Sequence, residues 1–357
     1  MKNFIVACVF ILILVSCAES PVFVSPENEL IEYTGRIDFS NPETPVFSYS
    51  GVSIRACFSG TTIAMIMSDD TGENYYNIIL DGEVIDTVRI DTIKKTYEIA
   101  SELRDTIHEV EIFKRTELTF GKTSFYGFVL DAGEALVQIQ NKRTKLIEFI
   151  GNSITCGYGN EGENGESFGP STENHYMTYA AITSRNFNAR HLAVCRSGIG
   201  IYRNYNGLAE GNKDCMPNNY QRIFLYNEEP LFSFRETPNL VCINLGTNDF
   251  STSGGDSALY VSNYLRFIDT LQAKYNKPDI LCLLGPMISG ETLPKVRSYI
   301  QFVADSANKN GLGRVSFFEM SAQTGELGIG IDYHPSVEQH RRNAEELTEY
   351  IKPLKGW

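Results

Sequence analysis

Several features that mark common protein classes are scarce or missing in this 357-residue sequence. Its net charge is −13, and no evident basic patch could neutralise phosphates, which disfavours nucleic acid as a partner. No Cys-x-x-Cys and no Cys/His cluster has zinc spacing, so we expect no metal site. Internal repeats and low-complexity linkers are absent. The composition is otherwise that of an ordinary soluble globular protein, and its length favours two domains.

Long apolar runs are also missing, except at the start of the chain. Lys2 precedes an apolar stretch over residues 4–15, too short for a comfortable membrane span and typical of a signal peptide. It ends in Leu-Val-Ser-Cys, which looks like a bacterial lipobox. We therefore predict a lipoprotein signal peptide over residues 1–17, lipidation of Cys17, and an exported protein anchored to a membrane on the periplasmic side or the cell surface. The alternative is ordinary secretion with an incidental cysteine.

The cysteines that follow position 17 suggest core packing more than chemistry. Cys242 and Cys282 lie inside apolar runs, and we expect both to be buried. A disulfide involving Cys156 or Cys215 is compatible with an exported protein, but the sequence alone does not decide it.

Residues 22–140 have the pattern of a β-sandwich. Short alternating runs of apolar and polar residues are bounded by turn residues, and helical periodicity is missing. One run ends in Asp81-Gly82, which is a strong signal for a tight hairpin.

The pattern changes over residues 145–357, where apolar runs alternate with helical stretches. This alternation predicts an α/β domain with a parallel sheet that is covered on both faces. The predicted strands lie near residues 146–151, 191–196, 239–245, 279–285 and 314–319. The predicted helices lie near residues 174–188, 256–274, 293–309 and 336–351.

Ligands of such sheets bind beyond the carboxyl ends of the strands. Four candidate site residues fall just after a predicted strand or in the loop before the last helix: Ser153, Gly198, Asn248 and His334. Ser153 follows a predicted strand that ends in Gly151, so a sharp turn could expose its hydroxyl as a nucleophile and its N–H as an oxyanion donor. The side-chain amide of Asn248 is a second candidate oxyanion donor. The backbone N–H of Gly198 is a third, with Gly200 as a competitor.

His334 is the candidate general base. It precedes a proline, and Asp332 lies two residues before it, so in an extended chain the carboxylate could reach the ring and hold its tautomer. His108, in contrast, lies in a predicted strand of the first domain, where we expect it to face solvent. Asp249 is expected to fix the loop around Asn248 and not to act as a triad member.

Together these residues resemble the SGNH hydrolases, named for Ser, Gly, Asn and His in four blocks, and are most similar to carbohydrate esterase family 2. A Gly-x-Ser-x-Gly elbow, which marks the common α/β-hydrolases, does not surround Ser153. Most SGNH proteins have Gly-Asp-Ser where this chain has Asn152, and Asp three residues before the histidine where it has Ile331. That leaves either Asp332 or a backbone carbonyl to orient His334. The matching stretches are residues 151–159, 197–205, 244–250 and 332–336.

The resemblance implies a jelly-roll domain followed by a flavodoxin-like α/β/α domain with a five-stranded parallel sheet. It also implies a serine esterase that needs no cofactor and removes acetyl groups from plant-type polysaccharides such as xylan and glucomannan. Tyr158, Phe250 and Tyr333 are candidates to stack on sugar rings, although packing is an alternative role. The competing hypotheses are a surface glycan-binding lipoprotein and an SGNH esterase for another ester, such as a lipid or a bacterial glycan. The polar loop at 160–173 favours sugar over lipid.

Overall fold

A computed structural model describes residues 20–252 and 254–357 of the chain. The predicted signal peptide and Cys17 lie outside these described residues. No helix within them is both long enough and apolar enough to cross a membrane.

Within the described N-terminal residues, from 20 onward, twelve strands form two antiparallel six-stranded sheets. One sheet has the order β3-β4-β11-β6-β9, with β1 beside β11, and the other has the order β12-β5-β10-β7-β8, with β2 beside β5. The strands are β1 Val22–Val24, β2 Glu32–Thr34, β3 Ile37–Asp38, β4 Val46–Phe47, β5 Ser53–Gly60, β6 Ile63–Asp69, β7 Tyr75–Leu80, β8 Glu83–Arg89, β9 Lys95–Ala100, β10 Thr106–Lys114, β11 Thr123–Leu130 and β12 Leu136–Val137.

The alternating pattern of these strands buries one face of each sheet in a shared core, which confirms the predicted β-sandwich. The hairpin between β7 and β8 turns at Asp81 and Gly82, both with positive φ (50° and 89°), as a two-residue turn of this type requires. The expectation for His108 is wrong. Its ring is buried, with Nδ1 2.7 Å from a carboxylate oxygen of Asp81 and Nε2 2.9 Å from the carbonyl oxygen of Arg104, because the hairpin turn and the preceding loop cover it.

The C-terminal part is a doubly wound α/β domain whose five parallel strands have the order β14-β13-β15-β16-β17. Helices α5 and α6 cover one face of the sheet, and α2 and α7 cover the other. The strands are β13 Lys145–Gly151, β14 Ala189–Cys195, β15 Leu240–Asn244, β16 Ile280–Leu284 and β17 Val315–Glu319. The helices are α1 Ser153–Cys156, α2 Tyr179–Asn186, α3 Met216–Asn219, α4 Thr247–Phe250, α5 Ser257–Lys274, α6 Thr292–Lys309 and α7 Val337–Lys355.

Each predicted strand of this domain agrees with an observed one to within about two residues, but one predicted helix begins too early. Residues 175–177 form a separate turn of 3₁₀ helix, and α2 starts only after Thr178. Thr178 is extended, and its hydroxyl accepts a hydrogen bond from the N–H of Ala181, so it caps α2 and interrupts the helix predicted over 174–188.

The six cysteines that follow the predicted signal peptide are all buried free thiols, including Cys156 and Cys215. Cys242 and Cys282 lie in the hydrophobic core, as predicted.

The two domains are joined by buried polar contacts. Arg36, from the loop between β2 and β3, inserts into the second domain, where its guanidinium lies over the ring of Tyr220 and donates a hydrogen bond to the carbonyl oxygen of Arg222 at 2.9 Å. The same guanidinium lies 3.6 Å from the carboxylate of Glu148 on β13, and both side chains are fully buried. The interface therefore contains a desolvated ion pair as well as apolar contacts.

Candidate active site

Ser153 occupies the turn from the first strand of the parallel sheet into a short helix. Strand β13 ends at Gly151, where an added Cβ would overlap the hydroxyl of Thr155. Asn152 then caps α1, because its side-chain oxygen accepts a hydrogen bond from the N–H of Ile154 at 3.0 Å. The turn places Ser153 between β13 and β15, where the strand order reverses and sheets of this kind bind ligands.

His334 approaches Ser153 from the loop before α7. Its Nε2 lies 2.8 Å from the hydroxyl oxygen of Ser153, which is hydrogen-bond distance for a base and its nucleophile. Its other ring nitrogen, Nδ1, lies 3.1 Å from the carbonyl oxygen of Ile331. With Nδ1 protonated and donating to that carbonyl, Nε2 is free to accept the serine proton.

Asp332 does not make the contact predicted from an extended chain. Residues 331–333 form a 3₁₀ turn in which Asp332 and Tyr333 have positive φ (50° and 61°), so the side chains at 332 and 334 do not share a face. The Asp332 carboxylate instead accepts a hydrogen bond from the hydroxyl of Tyr158 at 2.9 Å. Of the two alternatives for orienting His334, the geometry favours the backbone carbonyl of Ile331. The expectation that the Asp332 carboxylate contacts the ring directly is wrong, because that carboxylate bonds to Tyr158.

Burial controls the protonation of His334. It lowers the pKa of the imidazole, while the carbonyls of Ile331 and Asp332 and the Asp332 charge act in the opposite direction. The ring is therefore neutral at neutral pH, as a general base must be before it takes a proton.

Tyr158 forms one wall around the histidine. Its ring centroid lies 4.4 Å from that of His334 and 3.5 Å from that of Phe168, on which it stacks. Burial and the neighbouring Asp332 raise the pKa of its hydroxyl, which stays protonated and donates. These contacts give Tyr158 a packing and hydrogen-bonding role, which is the alternative to sugar stacking.

The other two predicted groups, Gly198 and Asn248, line the same cavity as Ser153 and His334. Gly198 has φ of 77°, a left-handed conformation, and only the Tyr205 side chain lies near the position of an added Cβ. The side-chain amide of Asn248 donates to the carbonyl oxygen of Ile199 at 2.8 Å, which fixes one of its two N–H bonds. Gly200, the competitor of Gly198, already donates its N–H to the side chain of Asn204 at 3.1 Å. The geometry therefore favours Gly198 over Gly200 as an oxyanion donor.

Asp249 has a loop-fixing role, as predicted, but the loop that its carboxylate holds is the one after Gly198 and not the one around Asn248. Its buried carboxylate accepts hydrogen bonds from the backbone N–H groups of Ile201, Tyr202 and Arg203 at 3.0, 2.9 and 3.1 Å. A buried carboxylate that is satisfied by backbone donors holds those peptides in one arrangement.

The site opens into a cleft of about 780 Å³. Tyr333 is well exposed at its edge, whereas Phe250 packs edge-on against Tyr260 and is partly engaged in the core. Tyr205, also well exposed, lines the cleft. It ends the matching stretch 197–205, but an aromatic residue at that position does not by itself indicate a cleft-lining side chain, so the sequence does not single it out. The residues that line the cleft are Ser153, Tyr158, Ser197, Gly198, Tyr205, Thr247, Asn248, Phe250, Ser251, Met287, Ile288, Ser289, Thr292, Asp332, Tyr333 and His334.

Comparison with known families defines the class of protein first. Residues 149–342 match the GDSL-like Lipase/Acylhydrolase family, and residues 33–139 match the family described as Carbohydrate esterase 2 N-terminal. The chain therefore contains an N-terminal domain found in carbohydrate esterases, followed in sequence by a GDSL-like hydrolase domain.

Solved structures and curated relatives then narrow the class. A family two carbohydrate esterase from Clostridium thermocellum, in complex with cellohexaose, is 38% identical, with a TM-score of 0.86 over 92% of this chain and 99% of that one. The cellulase/esterase CelE of Acetivibrio thermocellus is 38% identical over 95% of this chain, which spans only 41% of that relative. An acetylxylan esterase/glucomannan deacetylase of Cellvibrio japonicus is 26% identical, over 92% of this chain and 89% of its own length.

The chain belongs to carbohydrate esterase family 2. This confirms the resemblance inferred from the four motifs, and it confirms the prediction of an ester hydrolase at the level of the family.

Proposed function

We propose that the protein is a serine esterase that removes O-acetyl groups from plant-type polysaccharides such as xylan and glucomannan. The observation that carries this proposal is the 2.8 Å approach of His334 Nε2 to the Ser153 hydroxyl, at the ligand-binding edge of a family 2 chain. The names of the Cellvibrio japonicus relatives support acetylated xylan and glucomannan as substrates.

In the proposed mechanism, His334 accepts the proton of Ser153 as the serine oxygen attacks the acetyl carbonyl carbon. The N–H groups of Ser153 and Gly198 and the amide of Asn248 stabilise the oxyanion of the tetrahedral intermediate. The sugar alcohol leaves with the proton from His334. Water, deprotonated by the same histidine, then attacks the acetyl-enzyme, and acetate leaves as Ser153 regains its proton.

The character of the cleft supports a sugar over a lipid substrate. Two well-exposed tyrosines, Tyr205 and Tyr333, flank an open cleft and could stack on sugar rings. The loop at 160–173 is rich in Asn, Glu and Gly, which a lipid chain would not favour.

Glycan binding without catalysis is the second candidate, because a family 2 relative is described in complex with cellohexaose. A protein that only binds has no need of a histidine within hydrogen-bond distance of a serine, so the proposed catalytic pair favours hydrolysis.

For localisation, we propose an exported lipoprotein anchored through Cys17, on the grounds of the Leu-Val-Ser-Cys sequence.

The test is acetate release by residues 18–357 from acetylated xylan, acetylated glucomannan and a small acetyl ester. We expect release from the polymers, and we expect Ser153→Ala to abolish it without altering the melting temperature. Hydrolysis that persists in the pure Ser153→Ala variant would remove serine from the mechanism. A folded wild-type protein that releases acetate from none of the three would favour binding or another ester.

A further inference from the structure

Glu117, a residue of the first domain, extends into the second domain behind the candidate active site. It precedes a 3₁₀ turn at Leu118–Phe120, and its side chain is buried. One carboxylate oxygen, Oε2, accepts a hydrogen bond from the backbone N–H of Ser197 at 2.7 Å. The same oxygen lies 3.5 Å from the thiol of Cys156, which donates to it.

These two contacts reach both sides of the candidate active site. Cys156 lies on α1, three residues after Ser153, and Ser197 directly precedes Gly198. A single oxygen atom therefore links the helix that carries the nucleophile to the loop that carries a proposed oxyanion donor.

Glu117 also completes the support of that loop. On the far side of Gly198, the Asp249 carboxylate holds the N–H groups of residues 201–203. On the near side, Glu117 holds the N–H of Ser197. The segment that contains Gly198 is thus fixed on both sides by a buried carboxylate, one from each domain. This matters because Gly198 is a glycine with left-handed backbone, and a glycine has more conformational freedom than other residues unless neighbouring contacts restrain it.

The surroundings keep Glu117 itself in place. Its own N–H donates to the carboxylate of Glu173 at 2.7 Å, and Glu173 is fully buried. Burial and the nearby Glu117 raise the pKa of Glu173 well above the usual range. The ammonium of Lys114, also fully buried, lies in the same region and attracts the negative charge of Glu117.

We infer that Glu117 is a positioning residue through which the N-terminal domain sets the oxyanion-binding loop of the C-terminal domain. This inference rests on the proposed function, since it assumes that the Gly198 N–H stabilises an oxyanion. Glu117 lies behind Ser197 and acts through it, without contact to substrate.

The experiment compares two variants that differ in where they place the acceptor oxygen. Glu117→Asp withdraws it by about 1.5 Å, the length of one carbon–carbon bond. Glu117→Gln keeps a carbonyl oxygen at the original distance. Thr116→Val is the matched control, because Thr116 is buried beside Glu117 but its hydroxyl bonds to Asn74 within the first domain, at 2.7 Å.

Two rates are measured for each protein: turnover of a small acetyl ester, and covalent labelling of Ser153 by a 4-nitrophenyl methylphosphonate ester. In the labelling reaction the serine oxygen forms a bond to phosphorus, nitrophenolate leaves, and His334 takes the serine proton. Because the phosphonyl oxygen occupies the oxyanion position, labelling reports on that position whatever the natural ester is.

For Glu117→Asp we expect kcat and the labelling rate to fall about tenfold or more, with KM changed less than threefold, since a shift of about 1 Å is costly in such sites. Glu117→Gln should stay within about threefold of wild type, and Thr116→Val should keep wild-type rates even where its melting temperature falls. Wild-type rates in Glu117→Asp, equal losses in Asp and Gln, or an equal loss in Thr116→Val would overturn the inference.

One measurement needs no variant. The Ser197 amide of the wild-type protein should be strongly protected from hydrogen exchange, and exchange at the rate of an open loop would overturn the inference. The proposed function fails separately: a wild-type protein that is labelled at Ser153 but releases no acetate from acetylated glycans would refute the substrate, while the labelling ratios would still test Glu117.

Discussion

Two groups lie near the ring of His334, and at the scale of single residues they have different roles. The carbonyl of Ile331 is within hydrogen-bond distance of Nδ1, so it fixes the ring tautomer. The carboxylate of Asp332 bonds to Tyr158 and reaches the ring only through its charge. Tautomer control and charge stabilisation, which one aspartate combines in the Ser-His-Asp triad, are here separated.

This separation predicts unequal losses on substitution. We expect His334→Ala to lower kcat by about 10⁴-fold or more, because no base remains for Ser153. Asp332→Asn should cost about tenfold, because the amide still accepts from Tyr158 while the charge that stabilises the imidazolium is lost. Steady-state kinetics on a small acetyl ester measures both. Equal losses would mean that the carboxylate is indispensable after all.

The same residues set the pH dependence. Because burial lowers the pKa of His334, kcat/KM should be on its plateau at neutral pH and should decline only below the ordinary histidine value of about 6.5. The Asp332 charge raises this pKa, so Asp332→Asn should lower it further and move the acid limb to lower pH. A profile of kcat/KM between pH 4 and pH 8 measures the shift, and a movement toward higher pH would contradict the assignment of His334.

At the scale of structural elements, the loop that follows β14 depends on two glycines for different reasons. Gly198 has positive φ but open space around a Cβ, so Gly198→Ala should cost about 1–2 kcal/mol through backbone strain alone. An added Cβ at Gly200 would overlap the carbonyl of Arg203, so Gly200→Ala should destabilise the fold more.

For Gly198→Ala we expect a small loss of stability but a large loss of catalysis. Gly198→Ala should fold and yet lose about tenfold or more in kcat, because its peptide is the one proposed to donate to the oxyanion. Melting temperature and kcat, measured for both variants, separate the effects. Wild-type kcat in Gly198→Ala would exclude a strict requirement for the glycine backbone at this position.

The elements themselves follow from sequence pattern, and the turns between them do so only in part. Apolar runs predict the five parallel strands, and the Asp81-Gly82 pair predicts its hairpin, because both signals are local. The 3₁₀ turn at 331–333 is not predictable in this way, since two consecutive non-glycine residues adopt positive φ there. The order of Ser, Gly, Asn and His indicates the site, whereas Glu117 leaves no signal, because its partner Ser197 is 80 residues away along the chain.

At the scale of the whole molecule, the two domains share a buried ion pair that should bind them into one unfolding unit. Arg36 inserts beside Glu148, and burial raises the pKa of Glu148 against the effect of the arginine charge. Removing one partner of a buried pair leaves the other uncompensated, so Arg36→Ala should cost about 3–5 kcal/mol in the free energy of unfolding.

Denaturant unfolding measures this loss, and Arg341→Ala is the control. Arg341 pairs with Glu338 on the exposed surface of α7, where an ion pair contributes little. A similar, small loss in both variants would show that Arg36 does not couple the domains.

The main-chain contact at His334 has a consequence for how this enzyme would respond to mutational scanning. An oxygen that belongs to the backbone persists in every replacement of the Ile331 side chain, so a scan of all twenty amino acids would record position 331 only through its packing. Semisynthesis that converts the 331–332 amide to an ester would weaken that carbonyl as an acceptor and reveal its contribution. Mutational data alone would therefore identify Ser153 and His334 and would miss the contribution of the Ile331 carbonyl.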